Sequence, residues 1–213
     1  MKSKRWLLLV IFYALLLFGG WAAGNWVPAI LEADVDALDG PMAQMIILTM
    51  AGIFILASAT PFVPGAEIGL GLMMLLGTKV LLLVYGCMIT ALVISYLIGR
   101  FVPATATAAA FRFFGLVKAS QLALDMAPLT PKERKDFLLE RAPKLILPHL
   151  LKHRFLALFV ILNVPGNTVI GGGGGIAFLA GLSGIYPFPA YLLTLLFAVA
   201  PLPLFFLITG SSF

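Results

Sequence analysis

Read only for apolar and polar positions, the chain is a series of long apolar runs separated by short polar interruptions. Residues 6–23 and 42–58 form the first two runs, and "VLLLVYGCMITALVISYLIG" (80–99) is the longest without a break. Twenty apolar residues rising about 1.5 Å each cover a hydrocarbon core of roughly 30 Å. Residues 80–99 are therefore expected to cross a bilayer as one helix, stopped by Arg100. The closing run "IYPFPAYLLTLLFAVAPLPLFFLITG" (185–210) reads as another span, bent near Pro201 and Pro203 because proline removes a backbone donor.

Two runs are interrupted by helix breakers. In "ATPFVPGAEIGLG" (59–71), Pro61, Pro64 and Gly65 end one helix and let the chain turn; Pro165 and Gly166 do the same in "LNVPGNTVIGGGGG" (162–175). The tripeptide Val-Pro-Gly stands at 63–65 and again at 164–166. Each copy follows an apolar run, leads into a glycine-rich one and is followed by a span. A broken segment at the same place in two halves points to the binding site of a transporter.

Composition agrees with a bilayer as solvent: 62% of residues are hydrophobic, 11% are charged and the mean hydropathy is +1.08, against about 25% charged in soluble domains. The net charge of +5 is segregated rather than spread. Nine of the fourteen Lys/Arg fall between Arg112 and Arg154, no charged residue follows Arg154, and Glu32, Asp34, Asp36 and Asp39 form an acidic patch. That is positive-inside patterning, so no nucleic-acid partner is expected. Cys87 stands alone in an apolar run, which leaves no intrachain disulfide and no redox pair.

Charge also orients the elements. Lys2, Lys4 and Arg5 hold the amino terminus in the cytoplasm, and 1–27 is expected to be an uncleaved transmembrane helix with Trp6, Trp21 and Trp26 at the interfaces. Residues 28–41 follow as an outer acidic amphipathic segment, and 42–100 as a first repeat, broken hairpin plus span. Residues 101–154 are expected to be basic interfacial helices on the anionic cytoplasmic leaflet, with Arg100, Lys132, Arg134 and Lys135 facing headgroups. Within them, "LTPKERKDFLLERAP" predicts a helix start: Thr130 as N-cap, Pro131 first, Glu133 closing a capping box. His149 and His153 have zinc-like spacing but no third ligand, so no metal and no cofactor are expected. Residues 155–213 form the second repeat and end outside. The expected fold is all-α: a polytopic membrane protein with two opposed re-entrant helical hairpins in an inverted repeat, three spans and interfacial helices.

Irregular backbone at membrane depth is tolerated only where protein or a wet cavity satisfies it, and a charge there costs on the order of 3 kcal/mol. Glu67 should therefore face a cavity, near the positive end of the half-helix that begins after Gly65. Asn163, Asn167 and Thr168 supply polar groups from the second break. Gly69 and Gly71 on one side, and Gly171 and Gly175 on the other, are expected to let the two hairpins approach closely.

The segment "PFVPGAEIGLGLM", the span ending "YLIGR" and the second Pro-Gly hairpin together resemble the DedA/VTT superfamily, also called SNARE-associated Golgi proteins, over roughly residues 42–210. The resemblance implies two opposed re-entrant hairpins and movement of lipids across bilayers, with polyprenyl-type carriers or phospholipids as partners. It also matches Glu67 to the acid of the first motif, with Pro64 and Gly65 as its turn. Bacterial members commonly place arginines around the second proline; here its neighbours are Leu162, Asn163, Asn167 and Thr168. Some members also have the acid immediately after the glycine, where this chain has Ala66.

The expected function is a lipid flippase or scramblase of a bacterial inner membrane, not an enzyme, with proton coupling and homo-oligomerisation left open. The alternative is a small secondary transporter or ion-coupled exporter of a soluble or cationic substrate. No GxSxG elbow, HExxH pair or paired membrane aspartates argue for an intramembrane enzyme, and a purely structural role remains as the plainest alternative.

Overall fold

The computed structural model describes residues 41–76, 80–113, 115–141, 153–164 and 166–209, and the described residues are helical with no strand. The expected first span, the acidic segment, His149 and Pro165 lie outside them. The chain divides into two compact units, Met1–Ile53 and Phe54–Phe213. Of the first unit, the described part is the leading stretch of helix α1 (Pro41–Ala59), where Met45, Ile47 and Leu48 are exposed.

The second unit holds the rest of α1 and nine further described helices: α2 (Gly65–Leu76), α3 (Leu81–Phe101), α4 (Ala104–Phe113), α5 (Val117–Met126), α6 (Pro131–Arg141), α7 (Arg154–Asn163), α8 (Gly172–Ser183), α9 (Phe188–Val199) and α10 (Pro201–Thr209). A 3-10 turn, Asn167–Ile170, joins α7 to α8. Among the described residues, two stretches are long and apolar enough to cross a membrane: α3, with 21 residues, and α9–α10 taken together, with 22. The second is interrupted at Ala200, just before Pro201, where the helical ladder loses a donor. The apolar parts of α1, α2, α7 and α8 are shorter, 10–17 residues.

Local chemistry explains the ends. Val102 is extended (ψ 129°), as a residue before proline prefers, so α3 stops and α4 starts after Pro103. Pro187 is likewise extended, and α9 starts after it with Pro189 in its first turn. At α6 the Thr130 amide donates to Glu133 Oε2 at 2.7 Å and the Glu133 amide donates to Thr130 Oγ1 at 3.4 Å. These are the two reciprocal bonds of a capping box. The alanine-rich α4 and its partner α5 bury Thr107, Ala108, Ala123 and Met126.

The core forms where α8 and α9 meet α3. Gly99 on α3 and Gly181 on α8 are the contact points: a Cβ on Gly99 would strike the Phe178 carbonyl, and one on Gly181 the Tyr96 carbonyl. Small residues thus let two backbones touch. Beside the crossing, Tyr96 and Tyr191 stack with ring centroids 4.1 Å apart. Both are buried, and both hydroxyls are satisfied: Tyr191 donates to the Leu92 carbonyl at 3.1 Å and Tyr96 to the Tyr186 carbonyl at 2.6 Å. Large rings bury apolar area there without stranding a polar group.

Candidate functional site

The two predicted breaks are local backbone events. At the first, α1 ends at Ala59 and α2 begins at Gly65, so Thr60 to Pro64 make the turn. Phe62 adopts a left-handed φ of 68°, an outlier for a bulky side chain. A tertiary bond accompanies it: the Phe62 amide donates to the Gly171 carbonyl at 2.6 Å. Pro64 offers its carbonyl to the Ile68 amide at 3.0 Å and starts α2. At the second break the chain turns through Gly166 (φ 76°) and Gly171 (φ 130°), conformations that glycine tolerates without a Cβ penalty.

The five-glycine run is a helix start rather than a linker. Gly172 to Gly175 make the first turn of α8 and lie against the first break. A Cβ on Gly172 would stand 2.7 Å from the Val63 carbonyl oxygen, and one on Gly174 would stand 2.7 Å from those of Ser58 and Ala59. Gly175 sits against Pro61 at ordinary contact distance, 3.5 Å. Ser95 of α3 closes the arrangement by donating its hydroxyl to the Gly174 carbonyl at 2.7 Å.

The expected packing glycines divide three ways. Gly175 meets the opposite break; Gly171 meets it through its carbonyl, the acceptor for Phe62. Gly69 packs against Val84 of α3 and Phe54 of α1 rather than against the second break. Gly71 makes no such approach among the described residues: a Cβ there meets no described atom within 4 Å. Gly99, Gly172, Gly174 and Gly181 were not singled out, and they make the close approaches.

The polar residues expected to converge fall on two sides of the junction. Thr168 Oγ1 lies 3.4 Å from Glu67 Oε1, joining the two breaks across 101 positions of sequence. Glu67 is in the first turn of α2 and is exposed. Asn167 is buried, and its Nδ2 donates to the Leu162 carbonyl at 2.9 Å. That carbonyl is in the last turn of α7, where no intrahelical donor remains. Asn163 Nδ2 donates to Phe159 O at 2.9 Å and across to Ala198 O on α9 at 3.0 Å.

A cavity of about 50 Å³ lies beside the breaks, lined among others by Ala66, Gly69, Tyr85, Asn163, Asn167 and Pro203. Such a space admits ordered water but no headgroup. Glu67 is not in its wall. Ala66, Gly69 and Met73 recur on one helical face and turn inward, and the neighbouring side chain is rotated by about 100°. Of the four residues expected to share one pocket, Asn163 and Asn167 line this cavity, and Glu67 and Thr168 do not. Tyr85 is a wall residue that sequence reasoning missed; it ties α3 to α9 by donating to the Leu196 carbonyl at 2.9 Å. Its only sequence signal is a hydroxyl within an apolar run, which Thr90, Ser95 and Tyr96 share.

No protein-family model, curated protein or solved structure matches the chain. The basic residues expected at the interface lie on α3 and α6: Arg100 in the last turn of α3, and Lys132, Arg134 and Lys135 in the first turns of α6. Arg134 is part-buried and donates to the carbonyls of Leu129 at 3.0 Å, Ala127 at 3.3 Å and Leu182 at 3.5 Å. Burial, and secondarily the charge of Arg100, push the Arg134 guanidinium below its ordinary value.

Proposed function

We propose that this chain is an integral membrane protein that moves lipid headgroups across the bilayer, a flippase or scramblase of the DedA/VTT kind. In this reading α1–α2 and α7–α8 enter the membrane from opposite faces and turn back at their breaks. The α3 and α9–α10 stretches span it, and α4–α6 lie at the cytoplasmic surface. The observation that carries the reading is the contact between breaks: the Phe62 amide on the Gly171 carbonyl at 2.6 Å. Apolar half-helices of 10–12 residues (α2, α7 and α8) beside Pro/Gly breaks that meet are what discontinuous transporter helices require. The exposed apolar side chains of α9–α10, Leu193 and Phe197 among them, suit a lipid-facing surface.

A cavity of about 50 Å³ is too small for a headgroup, so the arrangement corresponds to a closed stage. Opening parts α2 from the α9–α10 wall, where Pro201 and Pro203 have already weakened the helix. Headgroups then pass Asn163 and Asn167, with Glu67 and Thr168 at the rim. The test is reconstitution into liposomes carrying a fluorescent phospholipid. Wild-type protein is expected to scramble it, and Glu67→Gln to slow the process. Equal rates would remove Glu67 from the mechanism, and no movement by wild type would remove lipid transport.

Glu67 alone favours a second reading: it is the one ionisable side chain at the junction among the described residues, which suits coupling to a cation. Substrate-dependent proton flux without lipid movement would establish that exporter instead.

A further inference from the structure

A second cavity, of about 170 Å³, lies away from the helix breaks and is lined among others by Gly99, Arg100, Ala104, Ala123, Arg134 and Leu182. It is smaller than the roughly 300–1,000 Å³ of pockets for drug-sized ligands. Arg100 and Arg134 both line it, and their guanidiniums come close to each other beside Gly184, where a built Cβ would stand 2.5 Å from Arg134 Nη1 and 3.5 Å from Arg100 Nη1. Two like charges held this close repel. Helix ends do not neutralise them. Helices α3, α5 and α8 end around the cavity while α4 and α6 begin, and end charges of about half a unit each leave only about half a negative unit against two guanidiniums.

Arg134 has a plain structural task, holding three backbone carbonyls, although a guanidinium carries more donors than those bonds use. Arg100 has no such task. It is exposed in the last turn of α3 and has no hydrogen-bond partner among the described residues. The geometry points to a phosphate-binding site between Arg100 and Arg134, taking a phosphate monoester or diester group from an anionic lipid headgroup or from free phosphate. Forked guanidinium donors suit phosphate oxygens. The site is separate from the conduit at the breaks, so its loss and the loss of scrambling in Glu67→Gln are independent results.

The test uses the full purified chain in detergent and Arg100→Gln, chosen because Arg100 holds no described backbone group. Native mass spectrometry measures retention of phosphatidic acid against phosphatidylcholine, and thermal unfolding is followed with and without inorganic phosphate. Arg100→Gln is expected to unfold at the wild-type temperature without phosphate and to hold phosphatidic acid roughly tenfold more weakly, the loss carried by one charge-assisted hydrogen bond. Selective loss of phosphatidic acid assigns the lipid headgroup. Stabilisation of wild type but not Arg100→Gln by inorganic phosphate, with lipid retention unchanged, assigns free phosphate. Identical behaviour of the two proteins in both assays overturns the site.

Discussion

At the residue scale, glycines at the junction differ in what a methyl group would meet. Gly174→Ala would place a carbon 2.7 Å from two carbonyl oxygens of the first break, and overpacking of that kind costs about 1–3 kcal/mol. Gly71→Ala meets no described atom and should gain about 0.5–1 kcal/mol within α2. Thermal unfolding of the two variants should therefore shift in opposite directions, and equal shifts would mean that the breaks do not touch. The sequence shows five consecutive glycines, but nothing in it ranks Gly174 above Gly71. The ranking depends on which carbonyls stand opposite, and those come from residues more than a hundred positions away. Phe62 makes the same point: Pro61 and Pro64 announce a turn, whereas its left-handed backbone depends on the Gly171 carbonyl.

At the element scale, two contacts differ in how far they reach. The box at the start of α6 is wholly local. Glu133 accepts from the Thr130 amide and, secondarily, from the Thr130 side chain, and both hold its carboxyl below the usual range. A depressed folded value means the contribution is present above the unfolded carboxylate pKa, about 4.3, and is lost as pH falls through the folded one. Protection of the first-turn amides of α6 relative to their intrinsic exchange should fall on acidification in that window. Glu133→Gln keeps a box-competent side chain and should remove the acid dependence; protection with an unchanged pH profile would show that the carboxylate does not hold this helix end. The crossing of α3 and α8 is the opposite kind of contact. Gly99→Ala or Gly181→Ala forces two backbones apart and should cost at least about 1–3 kcal/mol, read as a lower unfolding temperature. Unchanged stability in both would contradict the crossing.

At the scale of the molecule, α3 and α9–α10 are similar in length and hydropathy but not in position. Burial inside the protein is 44% for the apolar window of α3 and 11% for that of α9–α10. One is central, and the other faces outward with little protein around it. In vesicles, on a Cys87→Ser background, Leu193→Cys and Phe197→Cys should resist water-soluble thiol reagents while Lys135→Cys reacts. Comparable labelling at all three would contradict a bilayer around α9–α10. Hydropathy alone marks both stretches as spans and cannot tell centre from edge, because an apolar side chain reads the same against lipid and against protein.

The sequence by itself determined where helices start, stop and break, since Pro, Gly and capping residues act within a few positions of their own place. Pro61 to Gly65, the Thr130–Glu133 box and the bend at Pro201 all belong to that class, as does the separation of charged from apolar segments; the stop expected at Arg100 does not, because α3 runs through it to Phe101 and ends before Pro103. Tertiary structure alone decided what each break meets: Glu67 beside Thr168 but outside the cavity, Gly174 beneath Ser95, and Arg100 beside Arg134. The reason is physical. Those relations depend on helix rotation and on approach between distant segments, and a turn of about 100° per residue separates neighbours in the chain onto different faces.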